Sequence, residues 1–356
     1  MKIKFLSALV LIMPLAFAQS LSPVGDLLKG GIADGNKLVR AYTAPLNKAM
    51  IYSLGEFNYA GFRRNDDKKF SVGLRTVFLL SPVSDRTYRI NDLDLETLEA
   101  EDPQHDEAQT VFGDSTSTVR IVSKKKNILT GKPLLSFDSP AGLGYPGVPL
   151  PYLSFTYRAK AFYVSGGLIP QVPVPTTSLQ VFMLKGTFHY NLAEIAGDLL
   201  PEKWEWSAGL SGGFFHGFAP LDIKPDGVTV NATLTGRHNG PYDNQKFLAD
   251  YLAFSVSTHA AYSPGKHWRL YVGAGYVWGN STLRLAGTYP VYESDPTHSF
   301  SVVAKDIHDP LYIKDNYGQI YGEAGIRIDR KRFYFQLQGN LGHYTGAGLG
   351  LGFKIF

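Results

Sequence analysis

GAGLGLGFKIF, residues 346–356, decides how the chain is read. Leu349, Leu351, Phe353 and Ile355 fall on one face of an extended strand; Gly348, Gly350, Gly352 and Lys354 fall on the other. Alternation with period two marks a strand whose two faces meet different surroundings. A soluble sandwich turns its apolar face inward. A membrane barrel turns that face outward to lipid and keeps small and polar residues in its lumen. One strand fits either plan, so its neighbours have to decide.

Working back from that stretch, the same alternation recurs. Phe333, Phe335, Leu337 and Leu341 oppose Arg332, Tyr334, Gln336, Gln338 and Asn340. Ile320, Ala324, Ile326 and Ile328 oppose Gln319, Tyr321, Glu323 and Arg327, and Trp268 to Trp278 alternate with His267, Arg269, Gly273 and Gly275. Earlier strands pair Phe254 and Val256 with Ser255, Ser257 and His259, and Trp204 and Trp206 with Glu205. Others pair Phe182, Leu184 and Phe188 with Lys185, Thr187 and His189, and Phe70, Val72 and Leu74 with Ser71, Gly73 and Arg75. Every charge within these strands keeps to the non-apolar face.

Connections fall into two kinds. Short turns lie at 158–160, 263–266 and 329–331; long excursions lie near 81–150, 170–175, 218–246 and 280–316. A single up-and-down sheet with two unlike rims has this pattern, whereas a Greek-key sandwich would mix the lengths. The expected fold is all-β: a transmembrane antiparallel up-and-down barrel of about 12–14 strands, residues 51–62 being counted as a weak first strand. Trp268, Trp278, Phe333, Phe335, Leu349, Leu351, Phe353 and Ile355 are then expected to face lipid. Arg75, Lys185, His189, Glu205, His259, Arg269, Glu323, Arg327, Gln336 and Gln338 are expected to line the lumen.

The other end of the chain fits this reading. Lys2 and Lys4 precede an apolar run from Phe5, and Ala16-Phe17-Ala18 is a small-x-small site, so residues 1–18 read as a cleaved signal peptide. Residues 19–49 carry helical spacing at Leu27, Leu28, Ile32, Leu38, Val39, Tyr42 and Leu46, and are expected to be a helical segment that either plugs the lumen or packs under the rim. Residues 50–356 make the barrel. With 0 Cys, stability has to come from a large core or a closed sheet. The 37 Gly, 21 Tyr and 22 Phe suit many strands and aromatic girdles. A net charge of +4 without a basic cluster argues against nucleic acid as a partner.

Three pieces carry a family resemblance: KLVRAYTAPL at 37–46, GVPLPYLSF at 147–155 and LKGTFHYNLAEIAGDLLPEKWEWSAGLSGGF at 184–214. With them the chain resembles a Bacteroidota-type outer-membrane β-barrel of the uncharacterised DUF6588 family. It is more distantly similar to the long-chain fatty acid transporter type, whose N-terminus plugs the lumen. The resemblance implies outer-membrane lipid and the barrel-assembly machinery as partners. That machinery reads a terminal aromatic in similar families, although Phe356 is out of parity with the apolar face.

No catalytic signature stands out. Ser255, Ser257 and His259 share a lumen face without a nucleophile motif, and Asp306, His308, Asp309, His105 and Asp106 lack metal-ligand spacing. No enzyme activity, metal or cofactor is expected. The functional expectation is a channel or transporter for a small solute, a hydrophobic one being among the candidates. The alternative is a structural or adhesive barrel with a closed lumen and partner-binding outer loops, and an outer-membrane enzyme ranks third.

Overall fold

In the computed structural model the described residues are 24, 27–28, 30–62, 69–173, 179–196, 201, 203–295, 298 and 300–355. The expected signal peptide and Phe356 lie outside them. Ten strands close into one antiparallel barrel. In chain order they are β1 (Phe70–Leu80), β2 (Gly147–Arg158), β3 (Phe162–Pro173), β4 (Gln180–Asn191), β5 (Trp204–Pro220), β6 (Lys246–Tyr262), β7 (Trp268–Ala286), β8 (Leu311–Asp329), β9 (Phe333–Leu341) and β10 (Thr345–Lys354). Each strand pairs with its chain neighbours, and β10 closes on β1 in register from Ser71↔Lys354 to Leu80↔Thr345. Closure leaves no exposed sheet edge, which a span through lipid requires.

The count is ten, below the expected 12–14. Residues 51–62 are not a strand: 51–55 end a helix and 56–62 run as an irregular segment inside the barrel, with Phe57 and Gly61 at positive φ. Thr229–Val230 and Thr233–Gly236 pair with other outer segments and stay out of the wall. The barrel strands themselves are longer than the apolar alternation, reaching 17 residues in β5 and β6 and 19 in β7 and β8. Residues 280–286 and 311–316, read as loop, therefore belong to the wall. The reason lies on their outward face. On β7 it reads Trp268, Leu270, Val272, Ala274, Tyr276 and Trp278, and then Asn280, Thr282 and Arg284. Trp268 to Trp278, at about 3.4 Å per residue on a strand tilted about 40°, covers about 25 Å, the height of an outer-membrane apolar band. Beyond Trp278 the strand has cleared the hydrocarbon, so its outward face turns polar while its pairing continues.

Lipid-facing residues follow the expected parity. Trp268, Trp278, Phe333, Leu349, Leu351, Phe353 and Ile355 are exposed on the outside, and Phe335 points outward between neighbours. The short turns and the ends of the first and last strands share one rim, the periplasmic one by the usual asymmetry of such barrels.

The long connections fold into a cap over the other rim. One small sheet orders Thr229–Val230, Leu135–Asp138, Arg120–Ser123 and Leu98–Ala100; a second orders Thr233–Gly236, Ser301–His308 and Thr288–Ser294. Asp306 ties the second sheet to its loop by accepting from Asn239 N at 2.7 Å, Gly240 N at 3.0 Å and the Tyr242 hydroxyl at 2.7 Å.

Candidate functional site: an occupied lumen

Helix α1 (Ile32–Gly55) enters the barrel from the cap side. Asp34 in its first turn accepts from the backbone N–H groups of Glu96, Thr97 and Leu98 at 2.6, 2.7 and 3.0 Å and from the Thr97 hydroxyl at 2.7 Å. A carboxylate held by several backbone donors is a strong, charge-assisted anchor. Leu27, Leu28, Leu38 and Val39 join the same apolar cluster as Leu98, Ile121 and Phe137 of the cap. Plug and cap are therefore one packed unit. Lower down, Lys48 pairs with Asp85 at 2.7 Å, and Asp85 also accepts from the Tyr344 hydroxyl at 2.8 Å. Burial pushes the Asp85 carboxyl up; the hydrogen bonds from Lys48 and Tyr344 and the charges of Lys48 and His343 outweigh this and hold it below the usual carboxylate range.

Around the helix the wall is apolar. Phe247, Ala249, Tyr251, Leu283, Leu285, Leu311 and Ile313 are buried in one cluster with Tyr42, Leu46, Met50 and Ile51. From Ala49 to Gly55 every residue of the helix is buried, which is the burial of a helix enclosed on all sides.

At Gly55 the helix ends, and residues 56–62 (EFNYAGF) continue as an irregular segment toward the rim of short turns. The wall changes character at the same level. A chain that is neither helix nor paired strand leaves carbonyls without backbone partners, and burying them unpaired is costly. Side chains of the barrel meet that need. The Ser255 hydroxyl donates to Gly55 O at 2.6 Å. Lys185 Nζ donates to Glu56 O at 2.6 Å and Ser53 O at 3.2 Å. Arg75 Nη1 donates to Phe57 O at 3.4 Å and the Tyr163 hydroxyl to Asn58 O at 3.4 Å. Gln336 Nε2 donates to Tyr59 O at 2.8 Å and Arg269 Nη2 to Phe62 O at 3.0 Å. Gly61 takes φ 73°, and a side chain there would collide with the Arg269 guanidinium.

The side chains of the segment are gripped as well. Glu56 accepts from Gln319 Nε2 at 2.5 Å and from Asn340 Nδ2. Asn58 Oδ1 accepts from Thr187 at 3.3 Å. Tyr59 stacks on Tyr271 with ring centres 4.2 Å apart and donates to Glu205 at 3.2 Å.

All ten residues expected in the lumen point into it. Arg75, Lys185, Gln336 and Arg269 hold the segment as above. Gln338 accepts from Tyr271 at 2.6 Å and from Gln336 at 2.7 Å. Glu205 pairs with Arg269 at 3.3 Å. His259 bonds to Glu323, so the Ser255–Ser257–His259 grouping is divided: Ser255 serves the plug and Ser257 lies 3.4 Å from His189 Nε2. His189 in turn stacks flat on Tyr163 at 4.9 Å. Arg327 grips Asp329 at 3.0 and 3.2 Å and lies 4.0 Å over the Tyr334 ring. Asp329 also has Lys354 at 3.3 Å and Arg158 and Arg269 at 3.9 Å, an ion cluster at the inner rim.

Residues of the plug itself, Glu56, Asn58 and Tyr59, were missed by reading 51–62 as wall. Their signal was a Glu and an Asn inside an otherwise apolar run. The glycine face of β10 has its explanation here: a side chain at Gly348 would stand 2.9 Å from the Phe57 ring, and one at Gly352 would overlap Tyr334. Small residues on this strand make room for bulky groups on its neighbours and on the plug.

Two cavities of about 10 Å³ flank the segment, one beside Phe57, Arg75 and Tyr152, the other beside Asn58, Ser154 and Lys185. Each is the size of a single water. Among the described residues no group of three or more His, Cys, Asp or Glu could hold a metal.

A model described as a family of unknown function, DUF6588, matches residues 1–355. The chain belongs to the DUF6588 family. No curated protein matches this DUF6588 member. Among solved structures it is similar to the outer-membrane protease OmpT of Escherichia coli, at 8% identity over 83% of this chain and 99% of that one, with a TM-score of 0.32. It is also similar to the attachment invasion locus protein Ail of Yersinia pestis, at 8% identity over 80% and 96% with a TM-score of 0.24. The translocator domain of the autotransporter NalP from Neisseria meningitidis matches at 10% identity over 88% and 97%, with a TM-score of 0.27. The DUF6588 chain is a closed antiparallel β-barrel, and its own outward apolar band, closure and filled lumen carry the account that follows.

Proposed function

We propose that this protein is a closed outer-membrane barrel that holds a structured cap at the cell surface for recognition of a partner. The observation that carries the reading is the occupied lumen: residues 32–62 run from the cap to the periplasmic rim, fastened to the wall along the whole depth. The cap supplies a surface suited to recognition. Ile128 and Leu129 are 74% and 91% exposed at a hairpin tip. The tip is closed by Asn127 N donating to Lys132 O and Gly131 N to Asn127 O, both at 2.8 Å. Rigid apolar side chains flanked by Lys126 and Lys132 fit an apolar pocket with an acidic rim.

Planar-bilayer conductance of the purified protein tests the reading. The intact barrel is expected to pass no current, and deletion of residues 32–62 is expected to open it. Steady conductance of the intact protein would sink the proposal.

A second reading, gated passage of a small solute, is favoured by one observation. Beside the packing of Phe57, Tyr59 and Phe62, the inner half of the plug is held by many hydrogen bonds, which water can replace at low net cost. Current that appears only when the cap is bound or cleaved would favour it.

A further inference from the structure

The outward face above the upper aromatic girdle has a charge pattern the closed-barrel reading does not use. On β7 and β8 it carries Asn280, Thr282 and Arg284 beside Tyr312, Lys314 and Asn316. Register sets Thr282 opposite Lys314 and Arg284 opposite Tyr312, so the two cations are diagonal neighbours on adjacent strands. Arg284 and Lys314 are exposed, and Tyr312 is 66% exposed. One acid lies nearby: Asp250 of β6 accepts from Arg284 Nη2 at 3.0 Å and bonds His216 at 2.6 Å. Lys314 has no ion-pair partner among the described residues. The stripe belongs to the longest strands: β9 ends at Leu341, which is in register with Gly322 and through it with Ala274 in the apolar band, so the shorter strands present no equivalent face.

Height identifies what this stripe meets. Lys314 is level with Thr282, four residues beyond Trp278. At about 3.4 Å per residue and a tilt of about 40°, its Cα stands about 10 Å above the girdle, and Arg284 about 15 Å above. Long cationic side chains lie down along apolar surface toward the interface, so both charges can reach the headgroup layer. The face is continuous with the lipid-facing band of the same two strands. The geometry points to a binding stripe for a phosphorylated glycolipid of the outer leaflet, with Arg284 and Lys314 on its phosphates and Tyr312, Asn280 and Asn316 on its sugar. Arg284 keeps free N–H donors after Asp250 has taken one, and a guanidinium beside an ammonium suits a phosphate better than either alone. The assignment rests on the outer-membrane reading of the fold.

The test uses the full-length protein in neutral-detergent micelles. Diphosphoryl lipid A, fully dephosphorylated lipid A and inorganic phosphate are titrated separately, and binding is read by native mass spectrometry. The wild type is expected to retain diphosphoryl lipid A and to discriminate against the dephosphorylated form. The double variant Arg284→Gln/Lys314→Gln is expected to bind at least about tenfold more weakly, the size of one lost charge-assisted contact. Lys314→Arg is expected to keep binding, and Lys331→Gln/Arg332→Gln on the opposite rim is expected to change nothing. Equal binding by the double variant, or equal binding of the dephosphorylated lipid, would overturn the assignment. Displacement of the lipid by millimolar inorganic phosphate would overturn the choice of a lipid. If the wild type inserts as a β-sheet protein but shows no phosphate preference, this inference alone fails. If it does not insert, the membrane reading fails with it.

Discussion

The outer and inner halves of the lumen hold one continuous chain by different means. In the outer half α1 satisfies its own backbone, so the wall can be apolar: Leu283, Leu285, Leu311 and Ile313 pack on Tyr42, Leu46 and Ile51. In the inner half the chain is neither helix nor paired strand, so its carbonyls need donors from the wall, and the wall is polar: Lys185, Arg75, Tyr163, Gln336 and Arg269 cap them. Lumen polarity in this barrel therefore tracks the secondary structure of its occupant. Charges inside a barrel invite a reading as a solute path, but here the same charges are the fastenings of a plug.

The contrast can be broken hardest at the inner rim. Asp329→Asn leaves Arg327, Arg269, Arg158 and Lys354 facing one another with their common acid gone. Loss of one member of a buried ion cluster is expected to cost about 3–5 kcal/mol, read as a fall in the urea midpoint of the micelle-bound protein. Leu46→Ala attacks the outer half. Leu46 is 3% exposed, and its truncation is expected to cost about 2–4 kcal/mol through the cavity it leaves, with no change in the dependence on salt. Tyr163→Phe removes one donor from the segment, leaves the ring stacked on His189, and is expected to cost about 1 kcal/mol in the same assay.

The smallest effect is one of pH, at the cap. The Asp85 carboxyl is lowered in the folded protein, so its contribution is present above the unfolded carboxylate range and is lost as pH falls through the folded value. Stability is expected to drop on acidification below about pH 4, and Asp85→Asn is expected to flatten that part of the profile. A profile with the same acid limb in Asp85→Asn would remove Asp85 from the account.

Much of this was legible in the sequence. Parity alone assigned the lipid face from Trp268 to Ile355 and sent Arg75, Lys185, Glu323 and Arg327 inward, because a side-chain period of two cannot drift along a paired strand. Three things were not legible. Strand ends beyond the girdle lose their alternation, so 280–286 looked like loop. The helix runs on through Met50 because the barrel buries it on every side, which erases the one-sided stripe that marks a surface helix. The cap is built from strands as short as Thr229–Val230 and Leu98–Ala100, whose partners are distant in the chain, so no local pattern announces them.

The central claim is that the plug closes the barrel in the native state, and the absence of cysteine offers a direct test. Ala60 lies in the inner segment with 0% exposure. Ala60→Cys in the full-length protein, reconstituted in liposomes, would be treated with a membrane-impermeant maleimide on both faces. The account predicts no labelling until denaturant unfolds the barrel. Rapid labelling of the folded protein would contradict it.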